Sequence, residues 1–126
     1  MSGPVVGDYA VLPHRGDWQT AELYGPADEL LVPLIAERVP PTSSAELAPA
    51  GRTLRVEGAV VSAVTRTGDA LTIRAFNPAA MSTSLAVEID GEQAHGTIVD
   101  LRDQPVGAFS GQRDLRAGEI VTLRLH

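Results

Sequence analysis

From residue 54 onward, apolar and polar positions alternate in short bursts. Leu54 and Val56 alternate with Arg55 and Glu57. Leu71, Ile73 and Ala75 point to one side of an extended chain, and Thr72, Arg74 and Phe76 to the other. Leu85, Val87 and Ile89 repeat the pattern, as do Val121, Leu123 and Leu125 against Thr122 and Arg124. A period of two puts one set of side chains on one face of a strand, so each burst predicts a half-buried strand. Val60 to Arg66 and Ala70 to Asn77 flank Thr67-Gly68-Asp69, a hairpin signal. Asn77-Pro78 ends the second of these strands, Asp90-Gly91 makes a further turn, and Ile98 to Leu101 reads as a short strand. After residue 51 no segment is long and helical enough for a βαβ crossover, which disfavours a parallel sheet. The expected class is mainly β: an antiparallel β-sandwich with a short N-terminal strand/helical arm.

The first forty residues have a different texture. Val5 to Leu12 predicts a short strand, broken by Pro13 to Asp17. Thr20 to Leu31 mixes helical and extended character, with a short helix expected over Pro26 to Leu31. Pro26 fits a first helical turn, where its missing N–H costs little, and Pro33 stops the helix. Leu30, Leu31, Val32, Leu34 and Ile35 are expected to be buried. Pro40-Pro41-Thr42-Ser43-Ser44 through Pro49-Ala50-Gly51 reads as an exposed, mobile loop. The expected organisation is a single domain over residues 1–126, with an arm at 1–39, a loop at 40–51 and a β-rich core at 52–126.

Composition narrows the function classes. At 126 residues the chain holds one core's worth of protein, and 44% apolar with 21% charged residues is a folded, water-facing profile. Aromatics are only 4%, so the core is built from Val, Leu, Ile and Ala. There is no cysteine, which excludes disulfides, thiolate metal sites and thiol nucleophiles. Residues 1–50 carry Arg15 and Arg38 against seven acids, residues 51–126 eight arginines against nine, and lysine is absent. Neither half offers the basic stripe that a phosphate backbone requires, so no nucleic-acid partner is expected. No apolar run approaches the roughly 20 residues of a bilayer span, and Met1-Ser2-Gly3-Pro4 lacks the character of a signal peptide. A cytoplasmic location is the corresponding expectation.

The candidate chemistry gathers at Leu12-Pro13-His14-Arg15-Gly16-Asp17-Trp18, which holds the single tryptophan and one of three histidines. Trp18 offers a flat face for a sugar ring, and Arg15 and Asp17 can bond hydroxyls. A structural role competes with this: Asp17 capping a turn, Trp18 filling the core, His14 bonding a backbone carbonyl. Arg15-Gly16-Asp17 also spells a cell-adhesion tripeptide, a three-letter match with no further support. A metal site would need His14, His95 and His126 with carboxylates, and none of their spacings is a ligand spacing. No serine lies in a Gly-x-Ser-x-Gly elbow. Asp8, Asp17, Glu22, Asp28 and Glu29 are too many and too unpatterned to single out a glycosidase pair. No glycine cluster leads into a helix to cradle phosphate.

The order of motifs adds a resemblance. Val11-Leu12-Pro13-His14-Arg15-Gly16-Asp17-Trp18 is followed by Ala21-Glu22-Leu23-Tyr24, Ala27-Asp28-Glu29-Leu30 and Val32-Pro33-Leu34. Later come Val60-Val61-Ser62-Ala63-Val64, Leu71-Thr72-Ile73-Arg74-Ala75-Phe76-Asn77-Pro78, Asp100-Leu101-Arg102 and a closing Glu119-Ile120-Val121-Thr122-Leu123-Arg124-Leu125. In this order, over nearly the whole chain, they resemble the C-terminal β region of family 38 glycoside hydrolases, the α-mannosidases. The resemblance implies a C-terminal β-sandwich. In that family the zinc ion, the nucleophilic aspartate and the acid/base residue belong to an N-terminal catalytic domain, so no cofactor and no catalytic residue is expected in these 126 residues. It also implies a terminal piece or subunit of a larger enzyme, with His14, Arg15, Asp17 and Trp18 at a domain interface or in contact with carbohydrate.

The leading expectation is therefore a non-catalytic accessory domain that supports or completes an α-mannosidase-like catalytic domain, its arm docking there. The alternative is a free-standing carbohydrate-binding sandwich using Trp18 as platform. A small hydrolase built on His14 and Asp17 is a third reading, for which no activity is expected. Partners follow: the catalytic domain or a second copy of the chain, and a glycan, with no nucleic acid and no membrane.

Overall fold

The alternating segments fold as strands: β1 (Leu54–Glu57), β2 (Val60–Thr67), β3 (Ala70–Phe76), β4 (Thr83–Ile89), β5 (Glu92–Gln93), β6 (His95–Val99), β7 (Pro105–Ser110), β8 (Gln112–Leu115) and β9 (Ile120–Leu125). They come from a computed structural model that describes residues 3–4, 6–32, 34–36, 38, 51 and 53–126. The chain divides into two compact units, Met1–Pro41 and Thr42–His126. The expected loop at 40–51 lies, apart from Gly51, outside the described residues.

In the second unit every pairing is antiparallel, in the order β1-β4-β8-β7-β6-β9-β3-β2 with β5 paired to β4. The ladder makes two sheets. One holds β1, β4, β5 and β8, the other β7, β6, β9, β3 and β2. They are joined through a single residue pair, Ser110↔Gln112, where the chain turns at Gly111 from one sheet into the other. Gly58 and Ala59 carry the chain from β1 into β2. The result is the antiparallel β-sandwich that the alternation predicts.

Between the sheets lies one core. Ile73 and Ala75 of β3, Leu85 and Val87 of β4, Phe109 of β7, Leu115 of β8, and Val121, Leu123 and Leu125 of β9 are buried in it. Register explains the choice: Ile73 stands opposite Leu123, and Leu123 opposite Ile98, so one inward row crosses three strands. Each large aliphatic side chain so buried contributes about 1.5–3 kcal/mol. The hairpin expected around Gly68 and Asp69 forms between β2 and β3, and Asp90-Gly91 turns β4 into β5.

Two features depart from the sequence expectations, and at a third, Asn77-Pro78, the expected strand stop is observed with an added role. β6 runs over His95–Val99 rather than Ile98 to Leu101, and Leu101 is exposed in the turn, where Asp100 Oδ1 accepts from the backbone N–H groups of Arg102 (2.8 Å) and Gln104 (2.9 Å). β7 and β8 were not legible as strands. Asn77, read as a strand stop, is fully buried and serves both sheets. Its Nδ2 donates to the carbonyls of Met81 (2.8 Å), Leu115 (3.2 Å) and Arg116 (3.0 Å), while Oδ1 accepts from Ala79 N–H at 2.9 Å.

The β8–β9 turn is fixed by charge. Glu119 accepts from Arg113 Nη2 at 2.5 Å, from the Arg116 backbone N–H at 2.9 Å and from Arg116 Nε at 3.3 Å. The Arg116 N–H and guanidinium, with Arg113 beside them, hold the Glu119 carboxyl below the usual range. A depressed carboxylate binds protons less readily in the folded chain than in the unfolded one, where its pKa is about 4.3. Its stabilisation is complete above that value and fades as pH falls through the lower folded value. Glu119→Gln is expected to cost about 1–3 kcal/mol at neutral pH. In urea melts the gap to wild type should hold steady at neutral pH and narrow as pH falls below about 4.3, and a gap independent of pH would contradict this.

Among the described residues of the first unit one helix forms, α1 (Tyr24–Leu31), beginning two residues before the expected start and keeping Pro26 in its first turn. It ends at Val32, the residue before Pro33, where the helical conformation is disfavoured. The expected strand at Val5 to Leu12 does not form over the described residues 6–12: Val6, Tyr9, Val11 and Leu12 are exposed and unpaired in any ladder. A strand needs a neighbour to satisfy its backbone, and local alternation supplies none. Burial of Leu30, Leu31, Val32, Leu34 and Ile35 is also corrected, since all five are exposed, Leu34 and Ile35 almost fully.

Candidate functional site

The His14–Trp18 segment folds into a capped turn that leads into α1. Gly16 takes a left-handed φ of 79°. Asp17 then caps the turn: its Oδ1 accepts from Thr20 N–H at 2.7 Å, and its carbonyl from Ala21 N–H at 3.1 Å. Leu23 N–H closes onto the Trp18 carbonyl at 3.3 Å, and Glu22, at φ 49°, offsets this turn from the helix. The structural role considered for Asp17 is thus present in the fold.

The Thr20 backbone N–H, seconded by the Thr20 hydroxyl, lowers the Asp17 pKa, with smaller help from Gln19 N–H and the charge of His14. The group is therefore a fixed, exposed carboxylate. The core-filling role for Trp18 is not observed. Its side chain is 46% exposed, and its ring meets Tyr24 edge-on, 5.7 Å between centroids at 73°. Tyr24 thus braces one edge of the indole. His14 and Arg15 are exposed beside it in sequence. Within five exposed positions the turn carries an aromatic ring, one carboxylate, one guanidinium and one imidazole, groups of the kind that stack on a ring and bond hydroxyls.

The second unit has a cleft of its own. A space of about 640 Å³ opens at one end of the sandwich, floored by Leu71, Ile89 and Leu125 and edged by Arg66, His95 and His126. The two histidines, 31 positions apart in sequence, become neighbours because β9 runs beside β6, where His126 N–H donates to the His95 carbonyl at 3.1 Å. Pairing of strand ends is a long-range outcome, and spacing could not announce it. Asp69 and Asp90 also line the cleft, although their sequence signal was that of turn residues. Among the described residues no three His, Asp or Glu side chains converge on a point that could hold a metal ion. Ser62 Oγ is occupied by the Arg74 carbonyl at 3.2 Å. Among the described residues no helix is long and apolar enough to cross a membrane.

Comparison with known proteins found no matching family model, no matching curated protein and no matching solved structure.

Proposed function

We propose that the chain is a non-catalytic C-terminal β-sandwich of an α-mannosidase-like glycoside hydrolase, supporting or completing a separate catalytic domain. The observation that carries the reading is the run Leu30, Leu31, Val32, Leu34 and Ile35, which is apolar and exposed. Contiguous exposed apolar side chains of this kind mark a surface made for a partner. The ordered motifs from His14 to Leu125 supply the class of partner, and an antiparallel sandwich agrees with that resemblance.

The test is direct association with an α-mannosidase catalytic domain supplied as a separate chain. Mixing the two is expected to give a complex with higher Tm and faster hydrolysis of a chromogenic α-mannoside than the catalytic domain alone. Replacing Leu31 and Leu34 together by Asp should weaken the complex by about 100-fold or more, given about 1.5–3 kcal/mol for each buried leucine. No complex at tens of micromolar would defeat the proposal. A second reading, a free-standing carbohydrate-binding module, is favoured by the half-exposed Trp18 ring braced on Tyr24. It is separated in the same experiment by Trp18→Ala. Loss of mannoside or mannan binding by the isolated chain, with melting unchanged, would favour that second reading.

A further inference from the structure

His95 and His126 come together at the end of the β6–β9 ladder. Gly96 pairs with Leu125, and the bond from His126 N–H to the His95 carbonyl carries the ladder one rung further. Residues opposed on a rung of an antiparallel pair share a face, with Cβ atoms about 4.5–5.5 Å apart. Leu125 is buried in the core, so the next rung points away from it, and both histidines are exposed. The flanking positions on that rung are small. Ser110 of β7 pairs with His95, and Ala70 precedes Leu71, the β3 partner of Leu125. Both histidines also line the cleft at this end of the sandwich, where Asp69, Asp90 and Glu92 stand against one guanidinium, that of Arg66. Three carboxylates against one guanidinium draw cations toward the cleft and turn anions away. Arg124, two residues before His126 on the same face, is ion-paired to Asp103.

We propose that His95 and His126 form a two-imidazole site for a divalent first-row transition cation, of the class of Zn²⁺, Ni²⁺ and Cu²⁺. Imidazole nitrogen suits these ions, whereas Mg²⁺ and Ca²⁺ take oxygen ligands. Metal–nitrogen bonds of about 2.0–2.1 Å let two side chains on one rung close on a single ion. The strand pairing fixes the two backbones before the ion arrives, so little ordering is left for binding to supply. Two protein ligands do not fill a four-coordinate shell, so water or a donor atom of a substrate completes it. The shell is open, and the ion is held more weakly than in a closed structural site of four protein ligands.

Calorimetric titration of the full chain with Zn²⁺ or Ni²⁺, up to about 1 mM, tests this. Wild type is expected to take up one ion with a Kd of about 1–100 μM, and His95→Ala and His126→Ala should each weaken uptake about tenfold or more, because a single imidazole remains. His14→Ala, at the third histidine and in the other unit, should bind like wild type. NMR of the wild-type chain makes the same test without a substitution, in case a variant fails to fold. Zn²⁺ should move the imidazole signals of His95 and His126 together and leave those of His14 in place. Mg²⁺ at about 5 mM should not compete, since it prefers oxygen. Absence of uptake up to about 1 mM overturns the proposal. So does a loss confined to one of the two variants, which would leave a lone imidazole as the ligand. Displacement by Mg²⁺ would likewise overturn it, by making the carboxylates the ligands.

Discussion

Asn77→Ala is expected to lower the stability of the β-sandwich by about 3–5 kcal/mol, a fall in Tm of roughly 15–30 °C for a unit of this size. The carboxamide is fully buried and donates to three carbonyls, two of them, Leu115 and Arg116, at the end of β8 and one, Met81, in the approach to β4. Truncation leaves those acceptors without a donor, and buried groups left unpaired are costlier than a pair never made. The backbone of Asn77 joins the same corner, since its N–H donates to the Glu119 carbonyl at 3.0 Å and its carbonyl accepts from Gly118 N–H at 3.0 Å. The loss is therefore large against the 5–15 kcal/mol that holds a domain together.

Asn77→Asp sharpens the prediction. Shape is kept, and the oxygen facing Ala79 N–H is kept, but the donors become a carboxylate oxygen aimed at three carbonyl oxygens. Burial among acceptors disfavours the charged form, so the folded-state pKa of this aspartate would lie above its unfolded value. The penalty is then complete at neutral pH and is relieved as pH falls through the folded pKa, opposite in sign to the Glu119 effect. Urea melts of both variants at neutral and acidic pH decide the matter. An Asn77→Ala chain within about 1 kcal/mol of wild type would show that water replaces the amide without loss.

The corner also shows what the sequence could carry. β3, β4 and β9 were legible because each buries one face of a clean alternation, such as Leu85, Val87 and Ile89. β7 and β8 were not. Pro105, Gly107 and Ser110 have turn-like composition, and Gln112 to Leu115 offers one apolar residue in four, so these strands exist through their pairing to β6 and β4. Asn77-Pro78 announced a local break, whereas the acceptors of its amide lie up to 39 positions away. In the arm the failure ran the other way. The apolar pattern of Leu30 to Ile35 predicts burial, yet a pattern records only an affinity for apolar surface and not that the same unit provides it. For the candidate site, the Asp17 cap was legible from residue type, while the half-exposed setting of Trp18 depended on Tyr24 coming round by the turn at Glu22.

Gly58→Ala should cost about 2–5 kcal/mol, combining about 1–2 for a left-handed backbone with about 1–3 for overpacking. Gly58 ends β1 at φ 75°, and a Cβ there would lie 2.0 Å from the Ser84 carbonyl oxygen and 2.8 Å from its carbon. Those atoms belong to β4, whose Leu85 and Val87 are packed in the core, so they cannot step aside without disturbing it. The Gly58 carbonyl also accepts from Thr83 Oγ1 at 2.7 Å, which ties the corner to the same strand. Gly68 gives the control. It has a similar φ of 60° but no atom within 4 Å of an added Cβ, so Gly68→Ala bears only the backbone cost of about 1–2 kcal/mol. The difference between the two variants in denaturant unfolding isolates the collision with β4. Equal losses at both positions would mean that the β1–β2 corner yields freely, and that close packing against Ser84 does not hold it.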